Sequence, residues 1–167
     1  DRYEKYFQQD IKPYRTGSKI IICPPTGAIE WMFDAQDWLS NTVETLKQHT
    51  DREIVVRDKP MNPQVKRIDG MTTINGFAKS KEDKPLAEDL AEAHCVITFN
   101  SGVGVTALCK GIPVICGPEC AAYPIANKLA DVENLQQHDR QQWLNHLAYS
   151  QFTLDEMSSG YALAQCS

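Results

Sequence analysis

The sequence predicts an α/β protein with a Rossmann-like three-layer sandwich, in which a mainly parallel sheet lies between helices and further helices follow at the C-terminus. Four short apolar runs are continuous rather than alternating, which is typical of strands buried on both faces. Helical patterns separate these runs, and regular alternation of strands and helices favours a parallel sheet. The length of 167 residues, with 42% hydrophobic and 23% charged residues, suits one globular domain. We expect that domain over residues 18–167, after an N-terminal extension or linker over 1–17.

The first half of the chain supplies two of the predicted strands. Residues 19–23 form an apolar, β-branched run that ends at Pro24-Pro25, and a loop is expected over 26–28. An amphipathic pattern predicts a helix over 37–49. A second strand is expected over 53–57, and residues 61–84 contain turn signals such as Asn75-Gly76.

The second half repeats the alternation of helix and strand. A short helix is expected over 85–93, a strand over 94–99, a helix over 103–110 and a strand over 112–116. Gly111 is the expected C-terminal stop of the helix before the last strand. Asp139 with Gln142, and Thr153 with Glu156, are spaced as capping boxes at the starts of two C-terminal helices.

The charge balance disfavours two classes of partner, nucleic acids and anionic membranes. The net charge is −5, whereas general binders of nucleic acid or anionic membranes are usually basic. Residues 1–84 carry 14 Lys and Arg against 13 Asp and Glu, and residues 85–167 carry 3 against 9. A bound phosphate would therefore take its cationic side chains mostly from the first half. No run approaches the ~20 apolar residues of a transmembrane helix.

Cysteine and tryptophan positions favour a reduced, packed interior. None of the six cysteines forms a Cys-x-x-Cys pair or has a histidine at metal-ligand spacing. We interpret them as buried thiols of a cytoplasmic protein and expect no metal or resident cofactor. Trp31, Trp38 and Trp143 are assigned to the core. The cysteines are Cys23, Cys95, Cys109, Cys116, Cys120 and Cys166.

Glycines and a serine follow the third strand in the segment Asn100-Ser101-Gly102-Val103-Gly104. Ligands of parallel sheets bind beyond the carboxyl ends of the strands. Ser101 is a natural N-cap, the glycines allow backbone to approach a ligand, and amides at a helix start attract anions. The alternative is a plain N-cap with glycines needed for packing. The dinucleotide fingerprint lacks its third glycine here, so NAD or FAD binding is weakly supported.

Arg57 and Lys59 follow the second strand and form the other candidate phosphate site. Two cations at the carboxyl end of a strand can clamp a phosphate. The alternative is a solvated loop pair neutralised by Asp58. Glu119, after the fourth strand, could accept hydrogen bonds from a sugar hydroxyl or be an ordinary surface carboxylate. The four histidines form no convincing catalytic arrangement with Ser, Cys or Asp.

The stretch from Ser101 to Val114 resembles the Ser-x-x-x-x-x-Ala-Leu-x-x-Gly-x-Pro-Val stretch of capsular-polysaccharide and related GT-B glycosyltransferases. The Kdo-transferase-like and polysialyltransferase-like groups are the most similar. Residues 54–60 resemble their strand ending in Arg-x-His-Pro, with Lys59 in place of the histidine, and residues 143–162 resemble their returning C-terminal helices. The resemblance extends over about residues 18–162.

The resemblance implies the C-terminal, donor-binding half of a GT-B enzyme, with a missing N-terminal domain that supplies the acceptor site. It places Arg57, Lys59, Ser101 and the Gly102 amide at the donor phosphate. It also places Thr26 and Gly27 along the nucleotide, and we assign Asn100 and Glu119 to the nucleotide or sugar. Lys59 supplies positive charge, but it is a poorer proton shuttle than histidine at neutral pH. The catalytic base stays unassigned.

The function expected from this resemblance is transfer of a sugar from a nucleotide-activated donor to a glycan or other hydroxyl acceptor, as in surface polysaccharide synthesis. Two alternatives stay open. One is a non-catalytic nucleotide- or sugar-binding module with the same cleft. The other is a nucleotide-sugar epimerase-like protein, which would also need carboxylates near the sugar ring.

Overall fold

A computed structural model of the chain describes residues 2–6, 10–59, 78–79 and 84–166, and it has the predicted α/β, Rossmann-like architecture. All strand pairs are parallel, and the strand order in the sheet is β3-β2-β1-β4-β5. The strands are β1 (Lys19–Cys23), β2 (Ile54–Val56), β3 (Ala78–Lys79), β4 (Ala93–Thr98) and β5 (Val114–Cys116). The helices are α1 (Arg2–Tyr6), α2 (Gly27–Met32), α3 (Trp38–Lys47), α4 (Leu86–Glu92), α5 (Val103–Cys109), α6 (Gln141–Tyr149), α7 (Leu154–Ser158) and α8 (Tyr161–Cys166).

The central strand β1 has a hydrophobic core on each of its faces. Ile20 and Ile22 pack in one cluster, which includes Leu39 and Leu46 of α3. Ile21 and Cys23 pack in the other cluster, to which α4, α5 and α6 contribute. Alternate residues of a strand point to opposite faces, so a continuous apolar run is what a sheet covered on both sides requires. The three-layer prediction is therefore confirmed.

The predicted strands and helices occur, with ends shifted by at most two residues, and helices α1 and α2 and strand β3 are found in addition. Helix α2 begins at Gly27, where a loop was expected, and Thr26 has the extended backbone of an N-cap. Helix α1 and the two-residue strand β3 also lacked a sequence signal. The turn signals between residues 61 and 77 lie outside the described residues.

The predicted helix ends are partly correct. Gly111 follows α5 with a φ of +77°, as a C-terminal stop requires. Thr153 and Glu156 form the expected capping box at α7. The box predicted at Asp139 is wrong, because α6 begins at Gln141 and Asp139 only accepts a hydrogen bond from the Gln141 amide at 2.9 Å. Trp31 is also not in the core, because its side chain on α2 is 81% exposed.

The segment 10–18 packs against the amino end of the sheet. Its backbone donates hydrogen bonds from Lys12 to the Cys109 carbonyl at 2.9 Å and from Arg15 to the Gly111 carbonyl at 3.0 Å. The Arg140 guanidinium lies 3.9 Å from the centre of the Tyr14 ring, a cation–π contact that adds α6 to this packing. These contacts close the end of the sheet from which the strands begin. Among the described helices, none has both the length and the apolar character needed to cross a bilayer.

Candidate functional site

A cleft of about 340 Å3 lies at the carboxyl end of the sheet, where β1, β2 and β4 end. The chain enters the sheet at β1, and later strands are added on both sides of it, so β1 and β4 flank the point where the strand order reverses. Open α/β sheets bind ligands at this topological switch point. The cleft is lined by Cys23, Pro24, Pro25, Thr26, Ile29, Arg57, Asp58, Lys59, Leu86, Asn100, Ser101, Gly102 and Val103.

The turn after β4 is held by hydroxyl groups. The buried Thr98 hydroxyl donates to the Cys23 carbonyl at 2.9 Å and accepts from the Ser101 amide at 3.3 Å. The Ser101 hydroxyl accepts from the Val103 amide at 3.3 Å. Thr98 thus joins the ends of β1 and β4, and it fixes the turn relative to the loop after β1.

Helix α5 begins at Val103 as predicted, but Gly102 rather than Ser101 occupies its N-cap position. Its φ is −58°, and a Cβ atom built there meets no heavy atom within 4 Å. Within the described part of the chain, the Gly102 amide donates to no acceptor. The Gly102 backbone therefore faces open space, and its amide is available to a ligand.

Gly104 has a packing role, contrary to the prediction that it lies where backbone approaches a ligand. A Cβ atom at this position would lie 3.2 Å from the Ala122 Cβ and 3.2 Å from the Cys120 Sγ. Both distances are tighter than ordinary van der Waals contact. Gly104 thus lets α5 pack closely against the segment after β5.

Arg57 lies in the wall of the cleft as part of an ion-pair cluster. Its Nη1 donates to Asp89 Oδ2 at 2.7 Å, and Lys84 Nζ lies 2.6 Å from Asp89 Oδ1. The Asp89 side chain is 2% exposed and the Arg57 side chain 10% exposed. The Arg57 guanidinium is thus held in a fixed position by a buried carboxylate. The alternative of a solvated loop cation neutralised by Asp58 is therefore wrong for this residue.

Lys59 lies at the open side of the cleft with an exposed side chain. The charged lining residues are two cations, Arg57 and Lys59, and one carboxylate, Asp58. Behind the wall, the positive charge of Lys84 offsets the negative charge of Asp89. This excess of cations over carboxylates favours an anionic ligand.

The thiol that lines the cleft is not a nucleophile at neutral pH. Burial raises the pKa of Cys23 to about 12, although Arg57 nearby acts in the opposite direction. A thiol with such a pKa stays protonated, and the thiolate is the reactive form. Cys23 therefore contributes packing rather than covalent chemistry to this wall.

Six of the eight predicted site residues line this one cleft, in positions set by β1, β2 and β4; they are Thr26, Arg57, Lys59, Asn100, Ser101 and Gly102. Gly27 begins α2 directly after Thr26 and does not line the cleft. Glu119 is exposed after β5, also outside the lining residues. The roles of all eight residues stay predictions.

Sequence reasoning missed the residues that support the cations. Asp89 and Lys84 come from the region around α4, 32 and 27 positions from Arg57 in the chain, and nothing in the sequence links them to the end of β2. Leu86 and Ile29 add apolar surface that was also not predicted. The one local hint was that Asp89 lies three residues after Leu86 and so shares the apolar face of α4.

In comparisons with known proteins, no protein-family model matches the chain and no curated protein matches it significantly.

Proposed function

We propose that this chain is the donor-binding domain of a GT-B-like glycosyltransferase and that its ligand is a nucleotide-activated sugar. The observation that carries the proposal is the cleft at the switch point of the sheet, with Lys59, Arg57 and the open Gly102 amide in its lining. Polyanionic phosphates fit such a combination of cations and a free backbone donor. The resemblance of residues 101–114 and 54–60 to GT-B enzymes supports the sugar-nucleotide class of donor.

The proposed role of the site in catalysis is electrostatic. Transfer of the sugar breaks the bond between its anomeric carbon and the donor phosphate oxygen, and negative charge develops on that oxygen as the nucleotide leaves. Arg57 and Lys59 stabilise this charge, and Asp89 keeps the Arg57 guanidinium in place before the ligand arrives. Charge stabilisation by groups that are already oriented lowers a barrier most effectively.

In the turn after β4, one backbone amide is proposed to donate a hydrogen bond to the phosphate. Val103 donates to the Ser101 hydroxyl at 3.3 Å, whereas the Gly102 amide is available. A phosphate oxygen within about 3 Å of the Gly102 nitrogen would have normal hydrogen-bond geometry. The Ser101 hydroxyl keeps the turn in shape and can donate its own proton to the same phosphate.

The test is calorimetric titration of the folded chain with CDP-, CMP- and UDP-sugars. The Lys59→Ala variant should lose about 1.5–3 kcal/mol of binding free energy, the range for a charge-assisted hydrogen bond. Lys110→Ala is the matched control, because this exposed lysine lies at the opposite end of α5. Absence of binding for all three nucleotide classes, or equal affinities of the wild type and Lys59→Ala, would refute the proposal.

A second variant tests the Gly102 amide without disturbing the charges. Gly102→Val places a branched side chain in the open space beside the backbone, and its φ of −58° suits any residue. We expect the free energy of unfolding to change by about 1 kcal/mol or less, as for a substitution at an N-cap that lacks a side-chain hydrogen bond. Binding of the nucleotide sugar should be lost. Unchanged affinity in a folded Gly102→Val protein would show that the Gly102 amide does not bind the phosphate.

The non-catalytic binding module is separated from the transferase by a different measurement. Both predict the same binding and the same effect of Lys59→Ala. The transferase hypothesis makes one further prediction. The protein encoded by the full reading frame should release free nucleotide when it is incubated with donor and a hydroxyl acceptor, and Lys59→Ala should reduce the rate of release. Binding without release would favour the binding module.

A further inference from the structure

Another cavity, also of about 340 Å3, lies between α6 and the segment 121–125 that follows β5, and we call it the α6 groove. Its volume is typical of small-molecule sites. On the α6 side, the lining residues recur at helical spacing and so share one face of the helix and its two ends. They are Asp139, Gln142, Trp143, His146, Leu147 and Ser150.

Two polar side chains of the α6 groove have hydrogen-bonding groups that a ligand can use. The Gln142 amide group and the His146 ring are exposed, and no protein group in the described part of the chain bonds to them. Asp139 accepts from the Gln141 backbone amide through Oδ1 at 2.9 Å, so its Oδ2 can accept from a ligand. An amide and an imidazole each donate and accept hydrogen bonds. Sugar hydroxyl groups also do both, so they match these side chains.

Apolar surface lies between these polar groups. The Trp143 residue is 6% exposed, and its Nε1 donates to the Ala121 carbonyl at 3.0 Å, which fixes the ring against the opposite wall. Leu147 and Ile125 also line the cavity and are half-buried. A sugar ring has C–H groups that pack on such a surface, while its hydroxyl groups reach polar side chains at the rim. The α6 groove therefore offers both kinds of contact that a sugar makes.

The charge of the lining differs from that of the cleft at the carboxyl end of the sheet. The α6 groove has one carboxylate, Asp139, and no Lys or Arg among its described lining residues. The cleft has two cations, Arg57 and Lys59, and one carboxylate. A cavity lined without these cations disfavours phosphates and acidic sugars. A neutral ligand therefore fits the α6 groove best.

A peptide fits this groove less well than a glycan. An extended peptide commonly binds by adding a strand to an open sheet edge. The outer edge of β5 is already used, because Asn127 pairs with Ile115 and its amide donates to the Val114 carbonyl at 2.8 Å. A helical peptide needs a hydrophobic groove, whereas Gln142 and His146 bring polar groups into this one.

We propose that the α6 groove is a binding site for a neutral oligosaccharide. Gln142 and His146 form hydrogen bonds with its hydroxyl groups, and Trp143 and Leu147 contact the C–H face of one sugar ring. Asp139 accepts a hydrogen bond from a further hydroxyl group at the start of α6. The inference rests on this groove alone and is independent of the proposed function of the cleft.

The α6 groove and the cleft are separated by the segment 120–122. The Cys120 Sγ donates to the Ser101 carbonyl at 3.7 Å, and Ser101 lines the cleft. The next residue, Ala121, lines the α6 groove. Binding at the two places can therefore be followed separately, through the Gly102 amide for the cleft and the Trp143 indole N–H for the α6 groove.

The test is an NMR titration of the isotope-labelled full chain with three neutral oligosaccharides, chitotetraose, maltotetraose and mannotetraose. At least one of them should shift the indole N–H signal of Trp143. The signal of Trp38, which packs against the core on the other face of the sheet, should not move. A tetramer of sialic acid, an acidic glycan of the same length, should leave Trp143 unchanged.

Three results of this titration would overturn the proposal. They are a Trp143 signal that responds to none of the neutral oligosaccharides, one that responds as strongly to the sialic acid tetramer, and one that responds to a mixture of short peptides but not to glycans. The last result would make the α6 groove a peptide site.

Two neighbouring glutamines provide matched variants. Gln142→Ala removes a side chain that lines the α6 groove, whereas Gln141→Ala removes an exposed side chain outside its lining. Gln142→Ala should weaken oligosaccharide binding about fivefold, as for the loss of one hydrogen bond, and Gln141→Ala should bind like the wild type. His146→Ala should cause a similar loss and replaces Gln142→Ala if that variant fails to fold. Wild-type affinity in the folded lining variants would contradict the proposal.

Discussion

Glycines lie at both ends of the sheet, but a side chain would meet different surroundings at each end. At the carboxyl end, Cβ atoms built at Gly27 and Gly102 meet nothing within 4 Å. At the amino end, a Cβ at Gly17 would lie 2.2 Å from the Ala93 carbonyl oxygen, and one at Gly111 would lie 1.9 Å from the Pro13 carbonyl oxygen. Glycine is thus needed for packing at Gly17 and Gly111, as it is at Gly104, whereas Gly27 and Gly102 beside the cleft leave open space next to the backbone.

The cationic side chains at the two ends of the sheet also differ in what they contact. At the amino end, Arg140 donates to the Lys12 and Leu108 carbonyls, and Arg15 donates to the Ala91 carbonyl at 2.7 Å. These arginines bind backbone and hold chain segments together. At the carboxyl end, Arg57 and Lys59 line a cleft. A cationic side chain therefore indicates an anion-binding site only when the structure shows which groups surround it.

The largest expected effect is at Gly111. Gly111→Ala combines a φ of +77° with the clash against Pro13, and together the strain and overpacking should destabilise the fold by about 2–5 kcal/mol. Chemical denaturation measures the loss. Gly160→Ala separates the two causes, because Gly160 has a φ of +80° and open space around it.

Gly102→Ala is the matched variant at the other end of the sheet. It has neither the positive φ nor the clash, so its free energy of unfolding should stay within about 0.5 kcal/mol of the wild type. A loss at Gly102 as large as that at Gly111 would contradict the distinction between the two ends.

At Asp89, the buried carboxylate behind the cleft, we expect a loss of stability smaller than that at Gly111. Asp89→Ala removes the buried carboxylate that Arg57 and Lys84 share. Breaking a buried pair costs about 3–5 kcal/mol, and because Lys84 can turn to solvent we expect about 2–3 kcal/mol in denaturation. The same variant should weaken nucleotide binding, since Arg57 loses its fixed position.

Glu88→Ala is the control for this prediction. Glu88 precedes Asp89 on the same helix, and its side chain is exposed. Its removal should change neither stability nor binding. An Asp89→Ala protein as stable as Glu88→Ala would mean that the cluster does not support the wall of the cleft.

The smallest effect concerns the N-terminal helix and depends on pH. The Arg2 guanidinium pairs with Glu156 and donates to the Ala148 carbonyl at 2.7 Å, which ties α1 to the C-terminal helices. The Arg2 contact and the Thr153 amide lower the pKa of Glu156 from 4.5 to about 2. The folded state thus binds fewer protons than the unfolded state between these values. The stabilising contribution is complete above about pH 4.5 and is lost as the pH falls toward 2.

Unfolding of the wild type and Glu156→Gln, measured from pH 7 to pH 2, checks this sign. The wild type should be more stable at pH 7, and the difference should disappear near pH 2. Asp155→Asn, at the exposed neighbouring position, should follow the wild type over the whole range. A constant difference between the wild type and Glu156→Gln at every pH would refute the ion-pair explanation.

The sequence alone determined the parallel sheet and the edge where the candidate site lies. Continuous apolar runs can be satisfied only between two layers, so residues 19–23 predicted β1 and its two-sided burial correctly. Local signals also sufficed for Gly111 and Thr153, because a positive φ and a capping box depend on neighbouring residues alone. Six candidate residues fell in one cleft because the carboxyl ends of parallel strands meet at one edge.

Only the tertiary structure decided what each of those residues contacts. Arg57 meets Asp89 across 32 positions of the chain, Cys120 meets the Ser101 carbonyl across 19, and Arg2 donates to the Ala148 carbonyl across 146. Gly102 and Gly104 have the same residue type and lie on one turn, yet one faces open space and the other packs against Cys120 and Ala122. The physical reason is that burial and ion pairing are properties of pairs of distant segments, and local composition carries no information about which segments meet.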